Sequence, residues 1–137
     1  RSQRREEITA RRGKGKGGRV RRSHRDLKAW QQAMALVTAI YSATSRFPRD
    51  EQFGLTSQLR RAAVSVPANI AEGAARNGSK EFLHFLGIAS GSLSELDTLV
   101  ELAHILGYLD QREELQRQVD DVSGLVMGLA ASIRRKL

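Results

Sequence analysis

The chain has 137 residues, with 23 Lys+Arg against 15 Asp+Glu, a formal net charge of +8. That length holds one domain with a modest core, and no run approaches the ~18 apolar residues of a membrane span. With no cysteine, the chain has no disulfide framework and no thiolate nucleophile or metal ligand, which fits a cytoplasmic setting.

The first 25 residues stand apart. They hold 11 Lys+Arg and only Glu6 and Glu7 as acids, a balance of +9, while residues 26–137 balance at −1. Apart from Ile8 and Val20 the stretch has almost nothing to bury, so it is expected to be a disordered basic tail. Arg11, Arg12, Lys14, Lys16, Arg19, Arg21 and Arg22 are its candidates for phosphate contact. A solvated leader without a role is the other reading of the same composition. Its Gly-Lys-Gly-Lys-Gly-Gly run (residues 13–18) is not a phosphate loop, because the preceding strand and the G-K-[S/T] ending are missing.

From Asp26 the pattern becomes helical. Leu27, Trp30, Met34, Val37 and Tyr41 follow at spacings of 3, 4, 3 and 4, a single stripe that ends before Pro48. The second segment runs from about Phe53 to Ala75, with Leu55, Leu59, Ala62, Ala63, Val66 and Ile70 on one face. Pro67 lies inside it and is expected to kink the helix without ending it. The third segment opens at Ser79, a good N-cap, and Phe82, Leu86, Ala89, Leu93, Leu96, Val100 and Ala103 lead to a stop at Gly107. The fourth starts at Asp110, with Glu113 three residues on, and buries Leu115, Val119, Val122, Val126, Leu129 and Ile133. The prediction is an all-α fold: an antiparallel up-down-up-down four-helix bundle over 26–137, behind a tail over 1–25.

No catalytic constellation is visible, and no cofactor is expected. His84 and His104 lie 20 residues apart on one helix, about 30 Å along its axis, so they cannot share a metal within one chain. No E-x-x-H pairing of a di-iron bundle exists. The adjacent acids Asp120-Asp121 and Glu113-Glu114 diverge by about 100° on a helix and read as solvated surface.

Two stretches are unusual. Gly87, Gly91 and Ser94 make a smooth row on the third helix, which suits a close approach of another helix, within the chain or from a second subunit. Phe85, Ile88, Leu99, Leu102 and Ile105 fall outside the main stripe there, as do Leu125 and Met127 on the fourth helix. These extra apolar positions predict burial between subunits. On the second helix, Ser65, Pro67, Asn69 and Glu72 put small polar groups beside core positions. Ser65 and Asn69 can satisfy carbonyls freed by Pro67, and Glu72 can pair with an arginine. The alternative is a polar subsite rimmed by Arg60, Arg61, Arg76 and Lys80.

The blocks FPRDEQFGLTSQLRRAAVSVPANIAEG and SKEFLHFLGIASGSLSELDTLVELAHILGYL resemble the family called four helix bundle protein, first noted as reading frames in intervening sequences of bacterial 23S ribosomal RNA. The likeness runs from about Asp26 to Ile133, with Asp97 where the family pattern often has Glu. It implies an up-down bundle that assembles as a ring, a homopentamer, with no established enzymatic activity. The chain is also similar to the accessory variability determinant protein of diversity-generating retroelements. That likeness implies contact with a reverse transcriptase and nucleic-acid binding, RNA or DNA, through a basic surface. Because residues 26–137 sum to −1, such binding here is expected from the tail or from Arg60, Arg61, Arg76 and Lys80.

Overall fold

In the computed structural model the described residues are 23–110 and 112–137, and the tail candidates from Arg11 to Arg22 lie outside them. A 3-10 turn at Ser23–Asp26 crosses the boundary expected after residue 25 and leads into α1 (Lys28–Thr44). A second 3-10 turn at Arg49–Glu51 precedes α2 (Leu55–Ala75), and α3 (Ser79–Ile105) and α4 (Arg112–Arg134) follow. Among the described residues there is no strand, and no helix is long and apolar enough to cross a membrane.

Cross-helix contacts fix the topology. Arg60 of α2 reaches Thr44 near the end of α1, and Ser65 of α2 meets Ser92 of α3. Gly73, near the end of α2, faces Phe82 and Phe85, near the start of α3. Glu101 near the end of α3 pairs with Arg112, the first residue of α4. Each helix therefore runs antiparallel to the one before it. Of two hollows between α1 and α4, one is lined by Arg46 and Asp110 and the other by Gln32 and Asp121, so these two helices are antiparallel as well.

Three of the four apolar stripes fall where their spacing puts them. The α2 set from Leu55 to Ile70 is buried throughout. The α3 set from Leu86 to Ala103 is buried, with Phe82 packed at its margin, and α4 buries Leu115, Val119, Val122, Val126 and Ile133, with Leu129 partly covered. The first helix differs. Its buried residues are Ala29, Ala33, Leu36, Ile40 and Thr44, while Met34 and Tyr41 are exposed. Two interleaved rows with helical spacing exist in α1, and the row with more alanine faces the core. The side chain of Thr44 is satisfied there, since its hydroxyl donates to the Ile40 carbonyl at 2.7 Å and accepts from Arg60 Nε at 2.8 Å. Leu99, expected on an outer face, is also buried within the chain.

Helix ends follow local chemistry. α2 continues as one helix through Pro67. At its start the Glu51 carboxylate accepts the Leu55 N–H at 2.9 Å, so the orphan donor of the first turn is satisfied from outside the helix. Phe53 stands before the helix and is 90% exposed. Ser79 is a helical residue rather than the cap: Gly78 occupies the N-cap position at φ 112°, after Arg76 leaves α2 in an extended conformation. Only a glycine takes that positive φ without strain. α3 ends with Tyr108 N–H bonded to Ala103 O at 2.9 Å and Gly107 N–H to His104 O at 3.0 Å, with Gly107 at φ 85°. That pair of bonds is the Schellman arrangement, so the expected stop at Gly107 is met.

Candidate functional site

The polar stretch of α2 builds a clip between helices. Asn69 Nδ2 donates to the Ser65 carbonyl at 2.8 Å and to Ser65 Oγ at 2.9 Å. Ser65 Oγ in turn lies 2.8 Å from Ser92 Oγ of α3. Pro67, buried beside them, leaves the Ala63 carbonyl without its usual donor four residues on. The amide of Asn69 does not go to that carbonyl but to that of Ser65, so the expected repair of the proline site is corrected: Asn69 holds Ser65 within α2, and the Ser65 hydroxyl makes the link to α3. Half-buried hydroxyls and an amide in such a chain fix register and separation, because each must keep its partner once out of water.

Glu72 pairs with an arginine as expected. Arg76 Nη2 lies 2.7 Å from Glu72 Oε2, and its guanidinium sits 5.0 Å from the Phe85 ring centroid. The hydrogen bond to Glu72 raises the Arg76 pKa above its ordinary value.

The four cations do not rim one subsite. Arg60 turns toward α1, where it bonds Thr44 and lies 4.4 Å from the Tyr41 ring centroid. Arg61 is exposed and lines a shallow pocket of about 250 Å³ between α2 and α3, with Phe53, Ser57, Ser92 and Glu95. Arg76 stands 16 residues beyond Arg60, about 24 Å along the helix, and Lys80 lies just across the turn into α3. A single polar subsite with all four at its edge is therefore excluded: Arg60 and Arg61 turn to different sides of α2, and Arg76 and Lys80 lie at its far end.

The small-residue row of α3 faces outward. Among the described residues a Cβ added at Gly87 or Gly91 meets nothing within 4 Å, and Ser94 is exposed. Packing of that row against another helix of the same bundle is therefore not found among the described residues. Around it lie Ile88 and Leu102, both about 40% exposed, and Ile105 at 68%. Met127 of α4 is also exposed, next to Gly124 and Gly128, which are equally open.

Three features escape a reading by spacing. Gly73 is buried, and a Cβ there would come within 2.9 Å of Phe82 Cδ1 and Phe85 Cβ; it is the place where α2 and α3 approach most closely among the glycines. Glu51 joins the start of α2 to the α3–α4 connection, because its second oxygen accepts the Tyr108 hydroxyl at 3.2 Å. Partial burial, then that bond, raises the Tyr108 pKa. Finally, an open groove of about 420 Å³ lies between α1 and α4, where Ala39, Ser42 and Ala43 leave space opposite Leu115 and Gln118. The alanines of α1 were the only signal for it.

Among the described residues no group of three His, Asp or Glu side chains is placed to hold a metal ion. No hydrogen-bonded nucleophile and base pair occurs in the polar clip, whose members are Ser, Ser and Asn.

The sequence pattern of a family described as 23S rRNA-intervening sequence protein matches residues 25–128. No curated protein matches the chain. Among solved structures, a protein of unknown function from the S23 ribosomal protein family of Bacteroides thetaiotaomicron superposes with a TM-score of 0.69 at 18% identity, over 75% of this chain and 95% of that one. That likeness establishes the shared helical fold. With the family pattern spanning all four helices, the chain belongs to the 23S rRNA-intervening sequence protein family.

Proposed function

We propose that this protein is a non-enzymatic, homo-oligomeric helical scaffold that binds nucleic acid, RNA in the first place, through its basic residues. The observation that supports it is the separation of charge: +9 over residues 1–25 against −1 over the remainder. An arm of that composition neutralises phosphates without needing a fold of its own. Assembly draws support from the open row of Gly87, Gly91 and Ser94, flanked by the exposed Ile88, Leu102 and Ile105. Five subunits, and a reverse transcriptase as protein partner, come from the resemblance alone. The test is RNA binding across a salt series combined with light scattering after gel filtration. Salt-sensitive binding by a particle several times 15.2 kDa is the expected result. A monomer at micromolar concentration, or no binding at low salt, ends the reading.

The exposed apolar row of α3 also favours a second reading, a protein-interaction ring without nucleic acid. An oligomer that ignores RNA at every salt concentration selects it.

A further inference from the structure

Antiparallel connections gather one end of every helix. The starts of α1 and α3 and the finishes of α2 and α4 lie together, and Ser23, the first described residue, is at this end too. From the first segment this end receives Arg25 and Lys28, and from the α2–α3 turn Arg76 and Lys80. The last turn of α4 adds Arg134, Arg135 and Lys136. All seven side chains are exposed. The acids beside them are Asp26, Glu72 and Glu81. This end therefore holds seven of the 13 cations and three of the 13 acids of the described residues, +4 where the described total is zero. At the other end Asp50, Glu51, Asp110, Glu113 and Glu114 outnumber Arg46, Arg49 and Arg112.

Local helix chemistry accounts for part of this. Arg134 and its neighbours sit where the negative end of a helix dipole favours cations. Lys28 and Lys80 do the opposite. Lys28 is the first residue of α1, whose first turn has no acid, and Lys80 is the second of α3. Cations there oppose the dipole. Among the described residues neither has an ion-pair partner, nor do Arg25, Arg134, Arg135 and Lys136; of the seven, Arg76 is paired there, with Glu72. Two lysines that gain nothing from their helices, beside other unpaired cations, are arranged for an anion from outside.

We infer that this end of the bundle is a phosphate-contact platform across which a nucleic-acid strand lies. The inference rests on the nucleic-acid reading above and adds the place of contact. Neighbouring helices are spaced by about 8–10 Å, so the end is roughly 20 Å wide. At about 3.4 Å per nucleotide of one strand, that width spans around six phosphates. Residues 1–22, with ten more Lys+Arg, are joined to the bundle at this same end, so arm and platform address one stretch of polymer. Binding of this kind fixes position along the backbone and reads no sequence.

The platform carries its own reporter. Trp30 is the only tryptophan of the chain and is partly exposed near this end, with the Arg25 guanidinium 5.3 Å from its ring centroid and His24 edge-on at 5.1 Å. A strand bound here changes Trp30 emission, whereas one held only at Arg60 and Arg61 does not.

The experiment uses the full chain, a fluorescein-labelled 20-nucleotide oligouridylate, and a duplex DNA of equal length, from 50 to 300 mM salt. Anisotropy gives affinity, Trp30 emission gives location, and circular dichroism confirms that each variant is folded. Each lost phosphate contact lowers affinity about fivefold at 0.1 M salt and reduces the slope of log K against log salt by about 0.7 for a single strand. Lys28→Gln/Lys80→Gln therefore weakens oligouridylate binding about 25-fold and removes about 1.4 from the slope. Arg46→Gln/Arg49→Gln, at the other end, leaves both unchanged. If the Lys28/Lys80 variant keeps wild-type affinity and slope while glutamine at the seven cations from Arg11 to Arg22 abolishes binding, the platform is refuted and the arm-based reading stands. Loss on Arg60→Gln/Arg61→Gln with Trp30 emission unmoved refutes it in favour of the α2 side. If the wild type binds neither polymer at 50 mM salt, the nucleic-acid reading falls, and the platform with it.

Discussion

Glycine serves opposite purposes on the two sides of α3. On the inner side Gly73 of α2 lets the backbone lie against Phe82 and Phe85, with no room for a methyl group. On the outer side Gly87 and Gly91 face open space. Each outer glycine costs its helix about 1 kcal/mol relative to alanine and returns no contact among the described residues. The inner glycine is explained by packing inside one bundle, and the outer pair has a use only when something else covers α3.

The largest effect should come from filling the inner site. Gly73→Leu forces its side chain into Phe85 Cβ and the Phe82 backbone, which cannot yield as a flexible side-chain tip does. Overpacking of this kind costs about 1–3 kcal/mol for small insertions, and a leucine should exceed that range and leave little folded protein. Gly73→Ala is the milder probe, with a lowered urea midpoint despite its better helix propensity. A midpoint at or above wild type would show that the α2–α3 approach is looser than described.

The outer site separates folding from assembly. Gly91→Leu should keep full helicity and raise the stability of the isolated chain by up to about 1 kcal/mol. If subunits meet on this face, the same substitution lowers the particle mass in light scattering. An unchanged oligomer would move the subunit contact elsewhere, with the exposed Met127 and open Gly124 and Gly128 of α4 as the next surface to examine.

This contrast also marks how far the sequence can be read. The stripes of α2, α3 and α4 were legible because large aliphatic residues repeat at 3 and 4 along one continuous face, although Leu99 of α3 was assigned to the outer one. In α1 a rival row exists, and size was a misleading guide: Ala29 and Ala33 face the core while Met34 and Tyr41 do not. An alanine row looks featureless in sequence, yet it sets how near a neighbouring helix can lie. For the site, the i, i+4 pairs were legible, since Ser65–Asn69 and Glu72–Arg76 are neighbours on any helix. The partners across the bundle were not: Ser92 for Ser65, Thr44 for Arg60 and Tyr108 for Glu51 each depend on helix rotation and register. The basic end was hidden for the same reason, because its cations come from three segments that span more than 100 residues of the chain.

The polar clip on the inner side of α3 predicts a middle-sized effect. Ser92→Ala removes one hydroxyl partner and leaves Ser65 with Asn69, so a loss of about 1 kcal/mol is expected. Asn69→Leu strips the donor from two bonds at 2.8 and 2.9 Å and should cost more, despite the added apolar surface. If Asn69→Leu stabilises the bundle, these polar groups do not serve register.

The smallest effect lies on α4, far from both glycine sites. Hydrogen bonds from Arg117, then from Gln118, hold the Glu114 carboxyl below its ordinary value of about 4.5. A depressed folded value means that the unfolded chain binds a proton more readily than the folded one does. The contribution of Glu114 is therefore fully present above about pH 4.5, and it fades as pH falls through the lower folded value. Both partners are exposed, so water and salt weaken the interaction, and Asp121 competes for the same guanidinium. Urea midpoints of wild type and Glu114→Gln should differ slightly at pH 7 in favour of wild type, and the gap should close on acidification to pH 3. Adding salt at pH 7 should narrow the gap as well, because exposed charges are screened. A gap that persists at pH 3 would place the role of Glu114 in its neutral hydrogen bonding or its packing, with the carboxylate charge irrelevant to the start of α4.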